Sequence, residues 1–171
     1  MSAHRYWRVY VNSVVAGNYV TMAEIGLYES VGGTNHALSG TMSAISIYDA
    51  GYVAAYSIDS DLDTMWHSSY VFSGIGAWLK CDLGAGNEKE IRVLTITPRR
   101  DGYYNTITSL NLEYSNDNAT WFAFASADSI SDWSPGVARL FDWSDDGSPV
   151  GPPPPTPSES MPNAFFATFR G

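Results

Sequence analysis

Three carboxylates fall at every second position in Ile58-Asp59-Ser60-Asp61-Leu62-Asp63-Thr64-Met65-Trp66, with a threonine hydroxyl beside the last of them. Brought together in one loop, such oxygens suit a hard cation, and calcium takes roughly six to eight of them. The EF-hand arrangement is excluded. Counted from Asp59, it needs glycine and glutamate where this chain has Thr64 and Tyr70. The competing reading is a solvated acidic loop in which Ser60 disfavours a tight turn and Asp63 faces water. The other chemistry-bearing residues do not form a constellation. His4, His36 and His67 lack the spacing of a metal site or a catalytic triad, and Cys81 stands alone, without a partner for a disulfide or a thiolate cage. Gly74-Ile75-Gly76-Ala77-Trp78-Leu79 misses the last glycine of a dinucleotide loop and runs into a strand pattern, and there is no nucleophile elbow or phosphate loop. The expectation is a protein that is not an enzyme.

The elements that must position these residues read as strands. Alternating apolar and polar residues recur at Tyr6 to Val11, Val20 to Tyr28, Ala77 to Leu83, Ile91 to Ile96, Ile107 to Tyr114, Trp121 to Ala125 and Val137 to Phe141. These runs are rich in β-branched and aromatic residues and are bounded by Gly, Asn, Asp or Pro, and no long stretch holds a helical period. The 171 residues include 6 Trp and 11 Tyr, and 44% are apolar, which is enough for a core and suits an antiparallel β-sandwich or jelly roll. A net charge of −9 argues against nucleic acid, whose phosphates call for clustered Lys and Arg. No run reaches the length of a transmembrane helix. The first residues, Met1 to Arg8, lack the apolar stretch and cleavage site of a secretory signal, so synthesis in a cytoplasm is expected, with exit, if any, by lysis or a dedicated route, and the Asn118-Ala119-Thr120 sequon carries no weight.

The sandwich is expected over residues 1–143, with 144–171 as a Pro-rich extension. Pro152 to Pro155 favour a stiff extended spacer, and Met161 to Phe169 form an apolar segment beyond it. Phe165, Phe166 and Phe169 then either fold back on their own sandwich or, as the preferred expectation, dock into a neighbouring subunit of an oligomeric assembly.

Several of these segments together resemble the discoidin, or coagulation factor type C, domain and its galactose-binding-like relatives. Asp59-Ser60-Asp61 followed by Thr64-Met65-Trp66 is similar to the family's Asp-Gly-Asp and Thr-x-Trp, with Ser60 in place of glycine. Trp78-Leu79-Lys80-Cys81-Asp82-Leu83-Gly84 resembles its "W-[IL]-x-x-D-L-G" strand, and Leu112 to Trp121 its "S-x-D-G-x-x-W" hairpin, with Asn118 at the glycine position. Arg5-Tyr6-Trp7-Arg8 and Ala23-Glu24-Ile25-Gly26-Leu27-Tyr28 resemble elements that close most family members but open this chain, which implies a circular permutation.

The resemblance implies a structural calcium ion held by Asp59, Asp61, Thr64, Glu24 and the carbonyl of Ala23. It also places ligand binding in loops at one end of the sandwich, where Tyr48, Tyr52, His67, Tyr70, Phe72, Arg99, Arg100, Tyr103 and Tyr104 are the candidates. Tyrosine faces and forked Arg donors suit a sugar, and Pro98 to Asn105 concentrates them. The same types also serve protein interfaces, and exposed Arg side chains often do no more than pair with nearby acids. Phe72 and Ile75 are the contacts to consider for a phospholipid surface. Trp7, Trp66, Trp78 and Trp121 fall at the family's core positions, while Trp133 and Trp143 have no assigned role. The functional expectation is a non-enzymatic module on a bacteriophage virion surface or tail that recognises cell-surface glycans. Its rival is a cement or connector protein held by the 144–171 extension.

Overall fold

Tyr6 to Val14 form β1, in which Trp7, Val9 and Val11 are buried on one side while Tyr6, Arg8 and Tyr10 face the other. The computed structural model describes residues 2–15, 19–69, 76–101 and 107–150. Within them the strands are β2 (Thr21–Met22), β3 (Glu24–Tyr28), β4 (Thr41–Ala44), β5 (Trp66–His67), β6 (Ala77–Asp82), β7 (Val93–Thr97), β8 (Ile107–Ser115), β9 (Phe122–Ala127) and β10 (Arg139–Asp142). Two short 3-10 turns at His36–Ser39 and Ala54–Ile58 are the helical elements among the described residues.

All pairings are antiparallel. A five-stranded sheet runs β4-β6-β1-β8-β9, a three-stranded sheet runs β10-β7-β3, and β2 pairs with β5. Their inward residues share one core in which Trp7, Leu79, Leu110 and Leu112 meet Ile25, Leu27, Leu94 and Ile96. The chain is thus an all-β sandwich. The strand runs read from alternation sit within a few residues of β1, β3 and β6 to β10. The short β4 and β5 carry too little pattern to be seen in the sequence.

The tryptophans divide by strand face rather than by motif. Trp7 and Trp66 are fully buried, as expected, and Trp143 joins them with Phe141 stacked beside it at 5.8 Å. Trp78 and Trp121 correct the expectation of core packing. On β6 the buried side belongs to Ala77, Leu79 and Cys81, so the period-2 alternation turns Trp78 outward. There Arg8 bridges the rings, its guanidinium 4.1 Å from the Trp121 centroid and 5.9 Å from that of Trp78, and it pairs with Glu113 at 2.7 Å. The hairpin from β8 to β9 turns at Asn118 with φ of 59°, the left-handed conformation expected of that position. The packed structure also continues past Trp143, the expected boundary, because Trp143 pairs with Pro149 in an antiparallel bridge.

Cys81 is buried, and burial pushes its thiol up to about 12, so it behaves as a small core side chain. Gly40 sits against it. A β-carbon at Gly40 would lie 2.2 Å from Cys81 Sγ and 3.1 Å from the Asp82 carbonyl oxygen. Gly40→Ala is therefore expected to cost about 1–3 kcal/mol in urea unfolding by overpacking. Adding Cys81→Ala should recover part of that loss, and a strictly additive double variant would contradict the contact.

Candidate functional site

The acidic run does not converge as three carboxylates. Asp59 accepts from the Asp61 amide at 3.0 Å and from the Thr64 hydroxyl at 2.7 Å, closing the loop on itself. Asp61 turns its side chain to the Asp63 amide at 2.9 Å and its carbonyl to Thr64, so the carbonyl is the oxygen it leaves toward the loop interior. Asp63 faces away and pairs with Arg100 at 2.6 Å, rather than only facing water. Ser60 takes the turn the family gives to glycine, with φ of 66°. For a residue with a β-carbon that conformation costs roughly 1–2 kcal/mol.

Glu24 enters from the start of β3. Its Oε1 is buried and has no hydrogen-bond partner. Burial pushes its carboxyl up to about 7; the amides of Ser60 and Asp61 oppose the rise, and the neighbouring Asp59 carboxylate adds to it. The Glu24 and Asp59 carboxylates are thus neighbours at this turn, with the Thr64 hydroxyl on Asp59 and on the Asp61 carbonyl. That donor set is of the hard-oxygen kind calcium prefers. It contains two carboxylate side chains, and among the described residues no group of three His, Cys, Asp or Glu side chains is gathered as a metal cluster.

A second feature lies at the same end of the sandwich. Pairing of β2 with β5 sets Thr21 opposite His67, which brings Tyr19 alongside. The backbone of His67 is held from two sides: its carbonyl accepts from the Tyr48 amide at 2.8 Å, and its amide donates to the Tyr52 carbonyl at 3.4 Å. Around its imidazole stand Tyr48 at 4.9 Å, Tyr19 at 5.1 Å and Tyr52 at 5.3 Å between ring centroids. The ring is uncharged at neutral pH, because burial pushes its pKa below the usual imidazole value and the nearby Arg99 charge adds to the effect, against the Ser68 carbonyl. Tyr48 is 55% exposed, and Ile45 and Ile47 on the same loop are exposed with it. The Trp66 indole N–H donates to the Ser46 carbonyl at 2.9 Å, and the Ser69 amide to Ser46 Oγ at 3.1 Å, which fixes this loop's shape.

The residues read from the sequence therefore separate as follows. Asp59, Thr64 and Glu24 come together, with Asp61 near by its backbone, and Ala23 is tied through its amide to the Thr97 carbonyl at 2.9 Å. Tyr52, His67 and Arg99 gather at the second feature. Arg99 and Arg100 are both braced by carboxylates, Arg99 in a forked pair with Asp101 at 2.7 and 2.5 Å and Arg100 with Asp63 at 2.6 Å. Tyr70, Phe72, Ile75, Tyr103 and Tyr104 lie outside the described residues, as do Phe165, Phe166 and Phe169. Tyr19 was not read from the sequence. Nothing local marks it, because its place is set by a pairing with a strand more than forty residues away in the chain.

A jelly-roll-like sandwich with its loops gathered into an aromatic end and an acidic turn defines a class of ligand-binding β-domain. The family model for the F5/8 type C domain matches residues 41–142, and the chain belongs to that family, the discoidin domains. Such domains are typically carbohydrate- or other ligand-binding modules and generally not enzymes. The match runs from β4 to β10 and leaves out β1, although β1 is the central strand of the larger sheet. No curated protein and no solved structure matches the chain.

Two stability measurements follow. With chelator present, the raised Glu24 carboxyl binds its proton more tightly in the folded chain than in the unfolded one, whose value is near 4.5. Stability is thus expected to fall as pH rises from about 4.5 to about 7 and then level off, and Glu24→Gln should flatten that slope. A slope unchanged in Glu24→Gln would place the titration elsewhere. Ser60→Gly should raise stability by up to about 1 kcal/mol in the same unfolding assay.

Proposed function

We propose that this chain is a non-enzymatic binding module that takes a cell-surface glycan at the end of the sandwich carrying Tyr19, Tyr48, Tyr52, His67 and Arg99. The observation that carries the reading is the convergence of three tyrosine rings on a neutral, backbone-clamped His67. Aromatic faces suit the C–H surface of a pyranose, and an uncharged imidazole, phenolic hydroxyls and a carboxylate-braced guanidinium suit its hydroxyls. Because His67 and Ser46 are fixed by backbone and indole hydrogen bonds, little ordering would be needed on binding.

The acidic turn belongs to the same proposal as a calcium site. Asp59, Glu24 and Thr64 would hold the ion by side-chain oxygens, with the carbonyls of Asp61 and Ala23. The ion supplies positive charge to two facing carboxylates and a partner for the orphaned Glu24 oxygen. The Asp63–Arg100 pair ties this turn to the 98–101 segment, so a rigid acidic loop would also brace Arg99 and Arg100. The permuted chain order is part of the reading as well, supported by the family match starting only at residue 41 while the earlier strands complete both sheets. A virion surface or tail setting rests on likeness at the level of the fold, and antibody labelling of particles tests it.

A connector role, anchored to a neighbouring subunit through Phe165, Phe166 and Phe169, is the second reading. Ile45, Ile47 and Tyr48 favour it, since an exposed apolar loop of fixed shape also suits a protein partner.

The deciding experiment is a glycan array on the whole chain with and without EDTA, read beside its melting temperature. A specific hit weakened about tenfold in Tyr52→Ala or His67→Ala, roughly 1.4 kcal/mol, would establish the site. A blank array with the fold intact would hand the function to the connector reading. Calcium at a hundredfold excess over its Kd should add about 2.7 kcal/mol of stability, and Glu24→Gln should lose that response. A melting temperature indifferent to EDTA would make residues 59–64 a plain acidic loop.

A further inference from the structure

His67 makes one side-chain hydrogen bond among the described residues, from Nδ1 to the Ser68 carbonyl at 2.7 Å. A carbonyl oxygen only accepts, so in the neutral ring the proton sits on Nδ1 and the lone pair on Nε2. The carbonyl that imposes this is itself held. Ser68 is fully buried, and Val20 grips it twice: the Ser68 amide donates to the Val20 carbonyl and the Val20 amide to Ser68 Oγ, both at 2.9 Å. Nε2 has no hydrogen-bond partner among the described residues. Nor is it one of their buried orphaned atoms, which are Thr21 Oγ1 and Glu24 Oε1. It is an acceptor that solvent reaches, in a ring surrounded by Tyr19, Tyr48 and Tyr52.

The charges around this acceptor are matched. Two cations stand on the segment after β7, and each has its own carboxylate: Arg99 gives Nε and Nη2 to Asp101, and Arg100 pairs with Asp63. From the loop after β4, Asp49 adds a further carboxylate, one oxygen of which takes the Gly51 amide at 2.7 Å. Arg99 and Asp49 are the charges felt at the imidazole, with opposite effects. Its other titratable neighbours are the three phenols. Among the described residues, a ligand carboxylate therefore finds no unmatched positive charge here, and the Nε2 lone pair repels it. A sugar hydroxyl can donate to that lone pair and accept from the braced Arg99 guanidinium. Resting on the glycan reading of this site, we propose that His67 selects uncharged sugars: its Nε2 accepts a hydrogen bond from a sugar hydroxyl, and sugars carrying a carboxylate are turned away. Protonation weakens the selection. A sugar lying over Nε2 excludes water from the ring, which disfavours the imidazolium, and the imidazolium has no lone pair to offer. It attracts a carboxylate instead.

The test titrates the full, isotope-labelled chain with the methyl glycosides of galactose, glucose and mannose and with methyl glucuronide, while NMR follows the His67 ring. At neutral pH the free chain should show the Nδ1–H tautomer, and at least one neutral glycoside should shift the ring signals. Glucuronide should bind about tenfold more weakly or worse. Acidification through the His67 titration, which lies below the ordinary 6.5, should weaken the neutral glycoside severalfold and narrow its lead over glucuronide. By reciprocity, saturating neutral glycoside should move the His67 midpoint still lower. An Nε2–H tautomer, a preference for glucuronide at neutral pH or an unmoved midpoint overturns this inference and leaves the glycan reading standing. No shift with any of the four sugars overturns both together. His67→Gln should bind without the pH dependence, and a dependence that survives in it overturns the proposal by placing the titrating group elsewhere. Should that variant fail to fold, the tautomer and the midpoint, both read on the unaltered chain, still decide.

Discussion

The burial of Trp7 near the start of β1, a strand hydrogen-bonded along one edge to β6 and along the other to β8, is the constraint on which the remaining structure depends. Both neighbours are far away in sequence, so the larger sheet cannot form until chain segments some seventy to over a hundred residues apart have met. Once they have, the period of two decides everything on that sheet. Trp7, Val9 and Val11 point to the core, and Tyr6, Arg8 and Tyr10 must line the outer face. The outer face then has to accommodate Trp78 and Trp121 as well. It does so by interleaving them with Arg8 and Lys80, whose ammonium lies 5.5 Å from the Trp78 centroid. Cation–aromatic contact here covers large rings that the core has no room for.

The same pairings determine where the site lies. Antiparallel strands alternate their ends, and the segments before β2 and after β4 and β7 are drawn into contact by three small links: the β2–β5 pair, the Tyr48–His67–Tyr52 backbone clamp and the Asp63–Arg100 ion pair. None of the three is strong by itself, and an exposed ion pair contributes at most about 1 kcal/mol. Their effect is geometric. They remove freedom from the loops on which a ligand would act, while the energy of folding comes from the core beneath.

How much of this is legible in the sequence depends on the range of the interaction concerned. Asp59, Thr64 and the left-handed turn at Asn118 follow from short motifs, because a turn's chemistry is local, whereas Ser60 adopts a left-handed turn that its residue type disfavours. Alternation gives seven strand runs for the same reason. What alternation withholds is which face is inward, and so Trp78 and Trp121, read as core from their motifs, lie outside. Tyr19 and the pairing of Asp63 with Arg100 depend on which strands become neighbours, and no local pattern encodes that. The two-residue β5 is simply too short to carry a period, although it organises the aromatic end.

Glu24 shows how the two halves of the site differ in kind. The tyrosine cluster is self-sufficient: its rings pack on one another and its histidine is neutral, so it adds no electrostatic cost to the fold. The acidic turn is the opposite. It combines a backbone conformation unfavourable for Ser60, two carboxylates forced together and a buried oxygen with nothing to bond, each of which lowers stability. A fold with an ample core has no physical need to collect three such costs within one turn. Their coincidence is readily explained if a single external partner relieves all of them together, and a divalent cation has the charge, size and oxygen preference to do so. The proton that Glu24 retains up to about pH 7 is then the poorer substitute, satisfying one oxygen where the cation would engage the whole turn.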